Sequence, residues 1–245
     1  EKVFADESRQ AIGVAACDID SDGIEEIYFL NTDAFSGKKK YSDRLLDFNN
    51  NSYTDLFTDS INKKSLNFTA GRSVACVDRL GNGKYSIYVS NYGGPSRLYS
   101  ILGRKIIDEA PKLGIDKITG GRAVVAGHII SERMDIFAAN ERGPNFLYKN
   151  INKKFVNVAK IYGVEDANQN GRGTALSDIL YRGRLDILSG NWQGFHRIYI
   201  LRKKKFIDLA DKSFNLPSKL RTIISADFDN DGFDEIFINN IGQSN

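Results

Sequence analysis

The chain has 245 residues, with 34 Lys and Arg against 31 Asp and Glu and a formal net charge of +3. No basic run is interleaved with stacking aromatics, which argues against a nucleic-acid partner, and no apolar run approaches the ~18 residues of a membrane span. The 11 Tyr and 15 Phe favour strands, the length suits one all-β domain, and two cysteines cannot make a disulfide framework.

In chain order, Lys2-Val3-Phe4-Ala5-Asp6 reads as the fourth strand of a preceding unit, placed in residues 1–10. The first full unit, residues 11–60, opens with Ala11-Ile12-Gly13-Val14-Ala15-Ala16-Cys17, a β-prone apolar run. It leads into Asp18-Ile19-Asp20-Ser21-Asp22-Gly23-Ile24-Glu25-Glu26. Acidic groups at loop positions 1, 3 and 5, a Gly at 6 and a Glu at 9 can wrap a hard cation in oxygen ligands, which is calcium chemistry. An EF-hand would need an acidic residue at position 12 and flanking helices. Here position 12 is Phe29, inside the strand Ile27-Tyr28-Phe29-Leu30-Asn31, so the loop belongs to a β-hairpin. Lys38–Lys40 and Asn49–Asn51 fall in a long insertion of this unit and are expected to be solvated loop.

The second unit, 61–110, opens with Gly71-Arg72-Ser73-Val74-Ala75-Cys76-Val77-Asp78; the third, 111–160, with Gly121-Arg122; the fourth, 161–210, with Gly171-Arg172; the fifth, 211–245, with Leu220-Arg221. Closing asparagines at Asn31, Asn91, Asn140, Asn191 and Asn240 recur roughly every 50 residues, a period that with β-rich units points to a propeller. Runs such as Arg97-Leu98-Tyr99 and Lys105-Ile106-Ile107-Asp108 supply a third and a fourth strand, which makes one propeller blade per unit.

The calcium pattern returns in the fifth unit as Asp227-Phe228-Asp229-Asn230-Asp231-Gly232-Phe233-Asp234-Glu235. Side chains of Asp18, Asp20, Asp22 and Glu26, with the Ile24 carbonyl, form one expected Ca2+ site. Asp227, Asp229, Asp231 and Glu235, with the Phe233 carbonyl, form the other. The middle loops lack the pattern. The second keeps Asp78, the third has His128, Glu132 and Asp135, and the fourth keeps Asp178 and Asp186 with Arg182 at position 5, where a guanidinium could bridge the two carboxylates.

Arg72, Arg122, Arg172 and Arg221 stand at the start of first strands, which in a propeller line the central channel. Pairing with neighbouring carbonyls or carboxylates is the expectation; an anion site at a channel mouth is the alternative. Cys17 and Cys76 precede equivalent loop positions and are expected to be two buried, inert thiols; one bridge between adjacent repeats needs their Cα atoms within about 7 Å. Asn50-Asn51-Ser52 and Asn67-Phe68-Thr69 are N-glycosylation sequons, at Asn50 and Asn67. Trp192 is expected to pack between blades rather than serve as a sugar platform. His128 and His196 are the only histidines, and no nucleophile elbow, phosphate loop or zinc spacing is present. The chain is therefore expected not to be an enzyme.

The units resemble the FG-GAP/VCBS type of propeller repeat, also found in integrin α-chain heads. The stretches Ala11–Asp20, Glu25–Asn31, Ala70–Arg79, Gly143–Leu147 and Ala226–Asp231 are similar, more narrowly, to the cartilage acidic protein (CRTAC/ASPIC) family. That resemblance runs over nearly the whole chain. It implies a secreted, extracellular, calcium-binding propeller of seven blades, about five of them here, followed in the family by an ASPIC/UnbV domain and, in animals, an EGF-like module. The implied partners are extracellular proteins or matrix, with self-association open and no nucleic acid or membrane span. The chain departs from the family in being mildly basic and in its shorter connections, for example after Asn91. A lectin-like propeller and a self-assembling structural protein are the alternative readings.

Overall fold

The computed structural model describes residues 2–242; residue 1 and residues 243–245, assigned above to the first fragment and the fifth unit, lie outside them. The chain divides into two compact units, residues 1–121 with 153–155, and 122–152 with 156–245. In the first unit, β1 (Ala11–Cys17), β2 (Glu26–Asn31), β3 (Arg44–Asn49) and β4 (Ser52–Asp55) form one antiparallel sheet. β5 (Gly71–Val77), β6 (Ser86–Pro95), β7 (Arg97–Leu102) and β8 (Lys105–Asp108) form the next. β9 (Ile118–Gly127) begins in this unit, where Gly120, Thr119 and Ile118 pair with Tyr92, Gly94 and Pro95. The second unit continues with β10 (Asp135–Glu141) and β11 (Phe146–Ile151); of β12 (Lys154–Asn157), Lys154 and Phe155 are counted with the first unit and the rest with the second. β13 (Gly171–Ser177), β14 (Asp186–Asn191), β15 (Arg197–Arg202) and β16 (Lys205–Asp208) follow, and β17 (Leu220–Ala226) pairs with β18 (Glu235–Asn240).

The second strands β10 and β14 are buried at every residue, whereas the fourth strands β12 and β16 bury only Phe155 and Phe206. Each unit has its own apolar core, one around Tyr28, Leu30, Ile87 and Tyr99 and the other around Phe137, Leu147, Ile187 and Tyr199.

The closing asparagines recur because they lock the turn into the third strand. Their Nδ2 groups donate to a carbonyl just before that strand: Asn31 to Tyr41 (2.9 Å), Asn91 to Pro95 (2.7 Å), Asn140 to Pro144 (2.7 Å) and Asn191 to Phe195 (2.6 Å). Three of their backbone N–H groups donate to the residue immediately before the third strand, at Asp43 Oδ1 (2.7 Å), Asn145 Oδ1 (3.0 Å) and His196 Nδ1 (3.1 Å). Because His196 Nδ1 accepts, its Nε2 carries the proton and donates to Ser218 Oγ at 2.9 Å.

Burial pushes the His196 imidazole below its ordinary value. A depressed histidine contributes stability that is complete above its ordinary range near 6.5 and is lost as the pH falls below it. His196→Asn retains an acceptor of the kind Asn145 supplies. It is expected to flatten the fall in melting midpoint between about pH 7.5 and about pH 5; a midpoint profile identical to the parent chain would show that His196 does not titrate in this range.

Three sequence expectations are corrected. Lys2–Phe4 is a 3₁₀ turn, not a strand. Phe4-Ala5-Asp6-Glu7-Ser8 matches Leu209-Ala210-Asp211-Lys212-Ser213, the segment just after a fourth strand, and in both the Asp Oδ1 accepts from the Ser hydroxyl (2.5 and 2.7 Å). Lys39 is not solvated: it is 2% exposed, because the acid at Asp43, where other repeats place Asn145 or His196, draws its ammonium inside. Cys17 and Cys76 are not free thiols but a disulfide, with Cα atoms 6.3 Å apart on the adjacent first strands β1 and β5.

Candidate metal centres

The β1–β2 loop is a folded cup before any ion is considered. Asp18 accepts from Ser21 N–H (2.6 Å) and Gly23 N–H (3.0 Å), Asp20 from Asp22 N–H (3.1 Å), and Asp22 from Ile24 N–H (2.8 Å). The turn needs left-handed backbone at positions 4 and 6, which Ser21 (φ 74) and Gly23 (φ 88) adopt. Ile19, wholly buried, anchors the loop in the core, and its N–H donates to Glu26 Oε2 at 2.8 Å. The β17–β18 loop repeats the pattern: Asp227 accepts from Asp231 and Gly232, Asp231 from Phe233, and Glu235 Oε2 from Phe228 N–H at 2.9 Å.

Oxygen atoms of Asp18, Asp20 and Asp22 lie within 4.8 Å of one another, as do those of Asp227, Asp229 and Glu235. A third group, Asp20, Glu26 and Asp47, meets the same test. Asp47 escaped the sequence reading because it comes from β3, outside the loop. The register that sets Leu46 opposite Ile27 gives Asp47 the place of Ser100, Lys149 and Ile200 in later repeats, so a carboxylate where no other repeat has one was the available signal.

Glu26 tests the fit to a cation. It is 0% exposed, one oxygen is bound by Ile19, and the other, Oε1, has no hydrogen-bond partner. Burial, reinforced by the charges of Asp20, Asp22 and Asp47 and opposed by the Ile19 bond, pushes its carboxyl up to about 7. Burial likewise raises Asp20, with Asp22 adding to it, and Asp47, with Asp20 adding to it. Carboxylates gathered this way repel unless protons or a cation neutralise them. All the donors are hard oxygens, the set a calcium ion takes. The residues fit the ion.

The other loops show how the same turn is satisfied without that set. Asp78 is held by Gly81, Asn82 and Gly83 N–H groups. In the fourth unit the Arg182 guanidinium donates to Asp186 Oδ1 (2.7 Å) and the Leu201 carbonyl (3.2 Å), while backbone N–H groups of Arg182, Gly183 and Arg184 take Asp178. The guanidinium therefore does not bridge both carboxylates as expected; Asp178 is already saturated by its own turn. Asp135 is filled by Ile130, Ser131 and Asn150 N–H groups, and His128 is exposed. Among the described residues, no ligand cluster forms at these three loops.

The arginines are engaged locally. Arg72 donates to the Thr32 hydroxyl and the Phe35 carbonyl, and Arg122 and Arg172 both meet Glu141. The Arg172 guanidinium also lies 4.7 Å from the Trp192 ring centre, occupying that ring as a packing surface; Arg221 is exposed. Asn50 is exposed at the β3–β4 turn. Asn67 is corrected as a glycosylation site: it is 0% exposed, with Nδ2 bound to Asp43 Oδ2 (2.6 Å) and Asn91 Oδ1 (3.0 Å), so the atom that would carry a glycan is inside the fold.

Residues 178–238 match the FG-GAP-like repeat family. The chain is 48% identical to cartilage acidic protein 1 of Xenopus tropicalis over 96% of its own length and 40% of that protein's. The human protein gives 48% over 96% of this chain and 39% of that protein's length. The chain thus spans less than half the length of these curated relatives. Among solved structures it resembles BBS1N, solved in complex with ARL6DN (TM-score 0.53, 8% identity, 93% of this chain and 63% of that one). It also resembles the Dos1 propeller (TM-score 0.52, 9% identity, 88% and 49%). At such identities the likeness speaks to fold alone, and the fold is a β-propeller.

Proposed function

The chain belongs to the cartilage acidic protein 1 family, and on that premise we propose that it is the calcium-stiffened propeller region of a secreted protein that binds extracellular protein or matrix partners. The observation that carries the calcium reading is Glu26, a shielded carboxylate with one unpartnered oxygen beside Asp20 and Asp47. The Cys17–Cys76 disulfide supports an oxidising, extracellular setting. In this reading the ions tie loops and perform no chemistry. Asp18, Asp20, Asp22, Glu26 and Asp47 hold one ion, and Asp227, Asp229, Asp231 and Glu235 the other, with the Ile24 and Phe233 carbonyls at position 7.

Glu26→Gln tests it by inverting an order. With a folded value near 7 against an ordinary 4.5, the Glu26 charge costs stability above pH 7, and the metal-free fold regains it as the pH falls toward 4.5. In chelator at neutral pH, Glu26→Gln is expected to be more stable than the parent by roughly 1–2 kcal/mol. With calcium the parent overtakes it. Melting curves that keep the same order in both conditions would sink the assignment. A glycan array should show no calcium-dependent ligand; a reproducible hit would favour the lectin-like alternative.

A further inference from the structure

The buried Lys39 sits in a cluster that the calcium loops do not use. Its Nζ donates to the Asn31 carbonyl (2.8 Å) and to Asp43 Oδ1. The second oxygen of Asp43 accepts from the Tyr28 hydroxyl (2.6 Å) and from Asn67 Nδ2 (2.6 Å). Tyr28, Asp43, Asn67 and Asn91 are all 0% exposed. One carboxylate therefore holds an amine on one oxygen and a carboxamide nitrogen on the other. The carboxamide oxygen, Asn67 Oδ1, accepts from the Thr69 N–H (3.2 Å) and Asn91 Nδ2 (3.2 Å). The backbones run side by side: Lys39 N–H donates to the Phe68 carbonyl (2.9 Å), and Lys38 bridges to Thr69.

We propose that Lys39 and Asn67 become joined by an intramolecular isopeptide bond, with Asp43 as the proton carrier. Asp43 takes a proton from the Lys39 ammonium, and the free amine attacks Cγ of Asn67. Thr69 N–H and Asn91 Nδ2 receive the charge that develops on Oδ1. Asp43 then protonates the departing Nδ2, the Cγ–Nδ2 bond breaks, and the ammonia takes up the remaining extra proton of the attacking nitrogen and leaves as ammonium. The sum is one lysine ammonium and one carboxamide going to one secondary amide and one ammonium ion, with nothing oxidised or reduced.

Three features favour the reaction. Burial pushes Lys39 down and Asp43 up against their mutual attraction, which eases the first proton transfer. Both reacting side chains are held on the one Asp43 carboxylate, which lowers the entropic cost of bringing them together. The carbonyl already rests on two donors placed for the transition state. The bond would fasten the connection between β2 and β3 to the segment leading into β5.

The intact mass of the purified, oxidised chain tests this without any variant. It is expected to fall short of the sequence mass by one ammonia beyond the two hydrogens of the disulfide, with a branched peptide joining the segments that contain Lys39 and Asn67. Asp43→Asn and Lys39→Met should each restore the missing ammonia. An unshifted parent mass overturns the proposal. So does a loss of water mapped to Lys39 and Asp43, or an ammonia loss mapped to Asn82-Gly83 or Asn170-Gly171, where succinimide formation would explain it.

Discussion

Replacing Cys17 and Cys76 together by alanine is expected to destabilise the chain by about 4 kcal/mol, the chain-entropy value for a bridge closing a loop of this length. The two cysteines lie 59 residues apart and connect β1 to β5, the first strands of adjacent blades. The bridge also sits immediately before Asp18, the first residue of the acidic loop, so its loss frees one end of the cup. Urea unfolding should show a lower midpoint and a steeper slope, because the unfolded chain without its cross-link exposes more surface. The calcium-induced rise in midpoint should shrink in parallel, because the loop must then be ordered by the ion alone. A loss below about 1 kcal/mol would mean that strand packing, not the bridge, holds β1 beside β5.

Gly190→Leu is expected to cost about 3 kcal/mol, and Leu220→Gly in the same chain to recover at least half of it. The reason is a size exchange that the repeats display among themselves. The residue before each closing asparagine meets the residue that opens the next unit. A Cβ on Gly71 would lie 2.2 Å from Leu30, one on Gly121 2.3 Å from Ser90, and one on Gly171 2.7 Å from Ala139. In the last pair the sizes are inverted: Leu220 opens the unit, and a Cβ on Gly190 would lie 2.4 Å from it. Two leucines at this contact cannot both fit, and Leu30–Gly71 shows that the reverse order is allowed. If the double variant were no better than Gly190→Leu alone, the contact would not be what limits size there.

Much of this architecture is legible in the sequence because it repeats. The closing asparagines, opening glycines and position-6 glycines each answer one fixed demand of the backbone, so each returns with the period of the blade. The acidic loops are legible for the same reason, since ligand spacing within a tight turn is local. What depends on a distant strand is not. Asp47 reaches the Asp20–Glu26 group from β3, and no spacing rule places it there. Lys39 looks like one member of a solvated lysine run, and only the pairing of its connection with Phe68 and Thr69 brings it onto Asp43. The Asn67 triplet reads as a sequon, whereas burial is a property of the neighbours that enclose it. The bridge between Cys17 and Cys76 follows from the contact of two first strands, which the cysteine count alone does not contain.

The most direct test of the account is a calorimetric calcium titration of the chelator-stripped chain, alongside Asp20→Ala and Asp229→Ala. The account predicts saturable binding at two sites, one lost in each single variant and both lost in the double. Absence of binding, or binding that survives the double variant, would contradict the assignment of these loops as the ion sites.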